Sequence, residues 1–466
     1  MFSAEVATRM LQLGISIILA RILGPSVFGV YGVCLIFYRL VGAVGDLGFG
    51  TVIIQKEIVK GKVIVSVAAL SLLFSCSLGV GLYIFANSAT LYFSYDGLAA
   101  LLRALSFIVA LEGLCIILRS IYIRELRYQA LSTIQLLAIV AGGVISLFLA
   151  FQGMGVWSLI FGLFAEIGLQ VTLFIVFIRH DYMMQVDSSF IRENYNSALK
   201  ILLARLIYYL NINMGALLIG KFLGVYALGL YVVAYGLVDT PVQRISKSVG
   251  MVSFAALSKF QNDIVEYEKT YESIKYYYSL IVFAVFMGLF IISEEFIAIF
   301  YGAGWKGMVT PLRVLCFVGI FRSLLVISSA ALLALNKTGV ELAIAFTQSI
   351  IMMILLIILI KYEITGACLA LAFAHGLGYF VSLHYIRHEI KIKNKIIFNH
   401  LYNAFVPSVA MVFVWFLSKL VLDGRITEFS MLIFNTFVCG SCFILIVIMM
   451  DKSFFGKLRK FVFASG

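Results

Sequence analysis

Charged side chains interrupt several apolar stretches of this chain, and they are the candidate functional residues. Arg39 lies near the middle of an apolar segment, where an ionised group costs at least roughly 2.5–3.5 kcal/mol in a bilayer. Similar depths are occupied by Glu112, Glu166, Asp239, Arg322 and His375. Arg9 and Arg205 lie towards one end of their segments, and Arg103 and Arg313 towards the opposite end. Such charges are tolerated where they face one another or a water-filled cavity.

Arginine predominates among these charges, which indicates an anionic ligand. Its planar guanidinium donates two parallel hydrogen bonds to phosphate and stays ionised. The candidate substrate-binding residues of a cationic cavity are Arg39, Arg205, Arg322, Arg9 and Arg313. The candidates for charge balance or ion coupling are Asp46, Glu112, Glu166 and Asp239. The alternative is that some arginines pair with these carboxylates and only lock helices together. For His375 we expect a hydrogen-bonded packing role.

No residue pattern typical of an enzyme stands out. The chain has no Walker motif for ATP, no zinc-ligand spacing and no GxSxG motif. Cys439 and Cys442 have the spacing of a redox pair, but they lie inside an apolar run, which favours helix packing. We predict a protein that is not an enzyme, needs no metal or organic cofactor and does not use ATP as its direct energy source.

These charges are expected to lie on membrane-spanning helices. Of 466 residues, 63% are hydrophobic and 12% charged, and the mean hydropathy is +1.07. Soluble domains contain about 25% charged residues, so a soluble globule is excluded. Apolar runs long enough to cross ~30 Å of hydrocarbon predict an all-α polytopic membrane protein. About 14 spans are expected, at 3–23, 27–50, 63–86, 98–119, 129–151, 155–178, 197–220, 226–249, 276–299, 309–335, 340–360, 365–386, 399–420 and 429–450.

Lys and Arg residues lie in alternate connections, and this pattern predicts both termini on the cytoplasmic side. The loop after the second span holds Lys56, Lys60 and Lys62, whereas the connections 86–97 and 151–156 hold neither Lys nor Arg. The net charge of +12 follows from this pattern, so nucleic acid is not an expected partner. The first apolar segment lacks a cleavage site after it, and we expect it to be retained.

An internal repeat indicates two related halves. Arg21, Leu23, Gly24, Gly29, Tyr31 and Val33 are matched by Lys221, Leu223, Gly224, Gly229, Tyr231 and Val233. Five of the six pairs are identical, which suggests two halves with a site between them. The expected domains are a six-helix bundle over 1–179, a cytoplasmic linker over 180–196, a second six-helix bundle over 197–388, and two additional helices with a basic tail over 389–466.

Two further local features are expected within the second half. Apolar residues at helical spacing between charges predict an amphipathic surface helix over 253–275. Pro241 lies inside one span and Pro311 early in another, where a proline frees a backbone carbonyl and allows a kink, either in a moving helix or as a static bend.

Several motifs resemble bacterial polysaccharide transporters, the Wzx-type flippases of the multidrug/oligosaccharidyl-lipid/polysaccharide exporter superfamily. The first is LARILGPSVFGVYG followed by GDLGFGTVIIQ, within 19–55. The others are GVWSL at 155–159, LLIGKFLGVYALGLYVVAYGLVDTPVQ at 217–243, FAALSKFQND at 254–263 and YGAGWKGMVTPLRVLC at 301–316. The motifs are spread over both predicted halves.

The resemblance implies two six-helix bundles related by a pseudo-two-fold axis around a cationic cavity, followed by two extra helices. It also implies the substrate, an oligosaccharide repeat unit on a polyprenyl diphosphate carrier, destined for O-antigen or another surface polysaccharide. The resemblance further implies alternating access coupled to a proton or sodium gradient, and the expected location is the bacterial inner membrane. Membrane lipids, a polysaccharide polymerase and a chain-length regulator are the expected partners.

Three alternatives stay open on the sequence. A drug/cation antiporter of the same superfamily would be expected to have an acidic, aromatic-lined cavity. A membrane-embedded polysaccharide polymerase or ligase would be expected to have a long external loop with acid, base or Arg/His residues. A channel or static scaffold would not require a repeat with a polar interior. The arginine excess, the short external loops and the repeat disfavour all three.

Overall fold

The chain is helical throughout the part that the structure describes. The computed structural model describes residues 2–55, 61–177, 188–390, 394–422 and 426–451. The helices of the first part are α1 (Phe2–Val44), α2 (Phe49–Gln55), α3 (Gly61–Phe93), α4 (Leu98–Arg124), α5 (Tyr128–Phe151), α6 (Val156–Val176), α7 (Ser188–Phe222) and α8 (Gly224–Pro241). They are followed by α9 (Lys247–Ser258), α10 (Ile264–Phe296), α11 (Val309–Ala334), α12 (Thr338–Leu359), α13 (Glu363–Ile390), α14 (Asn394–Leu422) and α15 (Glu428–Met450).

Most of these helices are long and apolar enough to cross a membrane. Within the described ranges, 12 helical segments qualify by length and composition. Met10–Ile53 has 44 residues and Thr338–Glu389 has 52, whereas one crossing needs about 20. Each of these two segments covers all or most of two predicted spans. The all-helical, multi-pass fold is therefore confirmed, and the exact number of 14 spans stays a prediction.

The chain turns at a left-handed residue inside each of the two long segments. Gly24 has φ 78° and ψ 173° within α1, a conformation that glycine adopts without a steric penalty. Pro25 follows, and its fixed φ suits the first turn of a helix. The matching Gly224 of the repeat has φ 81°, and Glu363 has φ 60° where α13 begins. Both copies of the repeat thus turn at the same glycine position.

The chain forms two compact units, Met1–Val232 and Val233–Gly466. In the first unit, α7 packs against α1, α2 and α3. In the second, α11 packs against α9, α10 and α13, and α14 and α15 pack against α10. The predicted domain bounds at 179/180, 196/197 and 388/389 differ from this division and stay predictions, and residues 180–187 of the predicted linker lie outside the described part.

The predicted surface helix over 253–275 is wrong in its extent. α9 ends at Ser258 and α10 begins at Ile264. Between them, the Asp263 carboxylate accepts hydrogen bonds from the backbone N–H groups of Val265 and Glu266, at 3.1 and 3.2 Å. Asp263 is therefore the N-cap of α10, and a cap of this kind begins a new helix.

The helix is irregular directly after Pro241, where a kink was predicted, and the irregularity is a π-helical turn. α8 ends at Pro241, and Val242–Ser246 form the π turn that leads into α9. Proline has no backbone N–H for the helical ladder, and a π turn absorbs such a fault without ending the helix.

Two glycines allow the backbones of α1 and α8 to touch within the first unit. A Cβ added to Gly29 would lie 1.7 Å from the carbonyl oxygen of Val225, and one added to Gly229 would lie 1.9 Å from that of Pro25. The two glycines are equivalent in the repeat, and so are Pro25 and Val225. The glycine of each helix therefore meets the carbonyl group of the residue that follows the turn glycine of the other helix.

The repeat extends well beyond the segment that revealed it in the sequence. L-R-x-L-x-F occurs at 102–107 in α4 and at 312–317 in α11. Both helices end in the same left-handed turn, with φ 55° at Leu126 and φ 59° at Asn336, and these two residues keep the register of the motif. G-L-[Y/F]-I at 81–84 in α3 likewise matches 288–291 in α10. Backbone and sequence thus give one residue-by-residue correspondence.

Candidate functional site

The structure describes the side chains of four candidate arginines, and among these only Arg39 is exposed and lacks an acidic partner within the described residues. It lies on α1, five residues before the end of that helix. Tyr31 and Tyr209 are near enough to interact with its charge. Tyr209 also donates a hydrogen bond from its hydroxyl to the Ile36 carbonyl oxygen, which joins α7 to α1. The Arg39 guanidinium is therefore available to a ligand.

Arg205 is held in an ion pair with Asp46. The Arg205 Nη1 atom lies 2.8 Å from Asp46 Oδ1, and Nη2 donates to Thr51 Oγ1 at 2.6 Å. The Asp46 side chain is 1% exposed, and its carboxylate also accepts the backbone N–H groups of Gly48 and Gly50 at 3.1 and 2.9 Å. Asp46 thereby orders the start of α2, and Arg205 of α7 neutralises it.

Glu112 has a tyrosine as its hydrogen-bond partner. Tyr38 of α1 donates its hydroxyl hydrogen to Glu112 Oε2 at 2.7 Å, and Glu112 on α4 is buried. Further along α4, Arg119 donates from Nη2 to Gln170 Oε1 at 3.2 Å. Gln170 in turn donates to Glu166 Oε1 at 3.4 Å on α6. The structure thus brings Glu112 and Glu166 into one polar cluster of α1, α4 and α6.

Arg119 belongs to this cluster, although the sequence pattern does not predict it there. The apolar run of the fourth span ends near residue 119, which indicates a position in a connection. The helix continues to Arg124, so Arg119 stays on its surface and reaches Gln170 of α6. The polar residues Gln170 and Glu166, four positions apart on one helix, were the available signal.

In the second unit Arg322 is paired with Asp239. The Arg322 Nη1 atom lies 2.8 Å from Asp239 Oδ1 and 2.7 Å from the hydroxyl oxygen of Tyr235. The Arg322 side chain is 11% exposed. Nearby, His375 of α13 hydrogen-bonds to Gln348 of α12, which agrees with the packing role expected for this histidine.

Arg313 also has a carboxylate partner. Its Nη2 atom lies 3.2 Å from Glu294 Oε2, and its Nε donates to Ser293 Oγ at 2.9 Å. Lys419 of α14 contacts the same carboxylate, and the Arg313 guanidinium lies over the Trp415 ring at 5.1 Å.

Of the predicted cationic set, Arg205, Arg313 and Arg322 are therefore neutralised, Arg39 is not, and the Arg9 side chain lies outside the described residues.

Lys275 is a buried cation that the sequence did not reveal. The apolar pattern places it in a loop, but it lies inside α10 and is 1% exposed. Its Nζ atom donates to the Tyr271 hydroxyl at 3.0 Å and lies 5.1 Å from the Tyr379 ring centre. No ion pair of Lys275 occurs within the described ranges. Its surroundings are aromatic, and they stabilise an ammonium through the ring faces.

The repeat relates charges inside the helices of the two halves with opposite sign. In the register of the turn glycines, Arg39 corresponds to Asp239. In the register of the L-R-x-L-x-F motif, Glu112 corresponds to Arg322. Asp239 and Arg322 are joined directly at 2.8 Å in the second half. In the first half, Glu112 takes the Tyr38 hydroxyl instead, which leaves Arg39 exposed.

The long apolar helices form a multi-pass helical fold, and solved structures have the same fold. The lipid II flippase MurJ, in an inward closed conformation, superposes with a TM-score of 0.73 at 18% identity, over 97% of this chain and 98% of that chain. An inward-facing multidrug resistance MATE family transporter of the MOP superfamily gives 0.63 at 17% identity, over 82% and 94%. At these identities the likeness is one of fold.

Residues 18–310 match the protein family described as "Polysaccharide biosynthesis protein", and the chain belongs to this family. An uncharacterized membrane protein in the cps region of Klebsiella pneumoniae is 25% identical, over 71% of this chain and 68% of its own length. The lipopolysaccharide biosynthesis protein WzxC of Escherichia coli K12 is 24% identical, over 66% and 63%. The match thus spans slightly less than two thirds of WzxC. The resemblance expected from the motifs is confirmed.

Proposed function

We propose that this protein is a flippase that moves polyprenyl-diphosphate-linked oligosaccharide repeat units across the membrane by alternating access. The observation that carries the proposal is membership of the polysaccharide biosynthesis family over residues 18–310. A fold shared with the lipid II flippase MurJ over nearly the whole chain supports it. The substrate is a lipid with a diphosphate and a sugar, destined for O-antigen or another surface polysaccharide. The protein is a transporter and not an enzyme.

Arg39 is the residue to which we assign the diphosphate. It is exposed and has no carboxylate partner among the described residues, and a guanidinium holds phosphate oxygens through charge-assisted bidentate hydrogen bonds. Arg205 and Arg322 would reach the substrate only after leaving Asp46 and Asp239. Their role in this state is therefore to hold helices in place.

We extend the proposal to energy supply, location and partners. Glu112 and Glu166, joined through the Arg119 and Gln170 cluster, are the candidates for coupling to a proton or sodium gradient. The location is the bacterial inner membrane with both termini in the cytoplasm, as the loop charges predict. A polysaccharide polymerase and a chain-length regulator are the proposed protein partners, and membrane lipids surround the helices.

Depletion of the protein in its native host tests the function. Lipid-linked oligosaccharide should accumulate on the cytoplasmic leaflet, and the surface polymer should be lost. Single repeat units that accumulate on the outer leaflet would contradict the flippase and indicate a polymerase. Normal surface polymer combined with new drug sensitivity would favour an antiporter, the alternative that the MATE-like fold keeps in view.

Substitution of Arg39 tests the residue assignment. Arg39→Ala should abolish surface polymer at normal protein level, whereas Arg39→Lys should retain part of it because the charge is kept without the planar fork. Arg21→Gln is the matched control, since Arg21 is an exposed arginine on the same helix. Full activity of Arg39→Ala, or equal loss in Arg21→Gln, would contradict the assignment.

A further inference from the structure

Two arginines occupy equivalent positions in the repeat, and their surroundings differ in charge. Arg103 on α4 and Arg313 on α11 are the arginines of the L-R-x-L-x-F motif. Each guanidinium lies over an aromatic ring of the preceding long helix, Tyr83 at 5.3 Å and Phe290 at 5.7 Å. These two rings are themselves equivalent in the repeat. The groups that each half supplies around the same arginine can therefore be compared position by position.

The second half neutralises and covers its arginine. Glu294 lies 3.2 Å from Arg313, and α14 lies over the site, with Trp415 5.1 Å from the guanidinium and Lys419 on the same carboxylate. Trp415 also packs edge-on against Phe290 at 6.2 Å. Side chains of α14 thus cover the Phe290 ring and part of the Arg313 guanidinium.

The first half provides neither a carboxylate nor a cover among the described residues. Asn87 stands where the second half has Glu294, and its Oδ1 accepts from Arg103 Nη2 at 3.0 Å. Within the described ranges Arg103 makes no ion pair, and its Nε is buried without a hydrogen-bond partner. Tyr83 is 48% exposed and Phe107 is 64% exposed. A half-buried cation with free donors therefore lies on an uncovered aromatic surface.

The depth of this surface suits a lipid headgroup. Arg103 is five residues from the start of α4 at Leu98, which is roughly 8 Å along the helix at 1.5 Å per residue. The headgroup layer is about 5–8 Å thick on each side of the hydrocarbon core. An arginine near this boundary extends towards the headgroups while its stem stays in apolar surroundings. Tyrosine is also enriched at this level.

We propose that Arg103, held by Tyr83 and Asn87, binds the phosphate of an anionic phospholipid at the end of the helices where α3 turns into α4. The charge pattern of the loops predicts that this end faces outwards. The lipid phosphate takes the place that the Glu294 carboxylate has in the other half. Lipid tails lie against Tyr83 and Phe107, where α14 lies in the other half.

The thermal stability of the purified full-length protein in a neutral detergent tests this site. Mixed micelles contain either phosphatidylglycerol or phosphatidylcholine at the same fraction. A ligand that binds only the folded state stabilises it in proportion to the logarithm of its concentration over Kd. The wild type should show a rise in Tm of several degrees with phosphatidylglycerol over phosphatidylcholine. Arg103→Gln should lose at least half of that difference, and the matched control Arg313→Gln should keep it.

Asn87→Glu is a second variant that does not depend on loss of the arginine. It gives Arg103 the carboxylate that Arg313 has, so it should remove the response to phosphatidylglycerol while the protein stays folded in phosphatidylcholine. An unchanged response in both Arg103→Gln and Asn87→Glu would overturn the proposal. A wild-type shift of the same size with inorganic phosphate alone would also overturn it, because the lipid would not be needed.

Discussion

Alanine at Gly29 should force two helices of the first unit apart. The new Cβ would lie 1.7 Å from the Val225 carbonyl oxygen, and real Cβ atoms essentially never come closer than 3.0 Å, so a shift of roughly 1.3 Å is needed. The obstacle is backbone of α8 and cannot rotate away as a side chain would. We expect a loss near the upper end of the roughly 1–3 kcal/mol that overpacking costs, which lowers the folded-to-unfolded ratio by a factor of ~30 or more.

Detergent-solubilised protein unfolded with increasing denaturant, followed by circular dichroism, measures this loss. Gly42→Ala is the control, because Gly42 lies on the same helix and a Cβ there meets nothing within 4 Å. That control should be unchanged or slightly more stable, since alanine favours a helix over glycine by about 0.5–1 kcal/mol. Adding Gly229→Ala to Gly29→Ala should cost less than the two single losses together, because one separation relieves both clashes. Equal stability of Gly29→Ala and Gly42→Ala would refute the reasoning.

Three further predictions concern the buried charges. Arg205→Gln should destabilise the protein by about 3 kcal/mol, because the buried Asp46 carboxylate loses its cation, and Asp46→Asn in that background should recover part of the loss in denaturant unfolding; no recovery would contradict the pairing. Asp239→Arg and Arg322→Glu should each lower the yield of folded protein and surface polymer through like-charge repulsion, whereas the double reversal should restore both. Lys275→Met should raise stability by about 1 kcal/mol or more, because a charge no longer has to be buried, and a lower Tm would show that the aromatic contacts outweigh this burial.

Composition and local pattern were sufficient to predict the helices and their turns. Runs of apolar residues define membrane spans because the bilayer requires every backbone group to be paired within a helix. The sequence Leu-Gly-Pro at 23–25 is typical of a turn, because glycine easily adopts a positive φ such as the 78° of Gly24. Features that depend on a few neighbouring residues could therefore be predicted from the sequence.

The hydrogen-bond and ion-pair partners of the charged side chains could not be predicted in this way. Arg205 and Asp46 are 159 positions apart, and their pairing depends on how α7 packs against α2. The ends of the apolar runs placed Arg119 and Lys275 in connections, but a helix can extend beyond its apolar run. α4 continues past its run to Arg124, and α10 begins before its run, at Ile264. The register of the repeat in α3 and α4 would have given the equivalence of Glu112 and Arg322 from sequence alone.

The reversed charges have a consequence for the history of the chain. A gene duplication produces two halves with the same charge at each equivalent site, so Arg39 and Asp239 cannot both be ancestral. The turn residues Gly24 and Gly224 stayed the same because the backbone strongly favours glycine at φ 78° and 81°. The two halves therefore share the backbone geometry of the turn and differ in the sign of the charges that follow it.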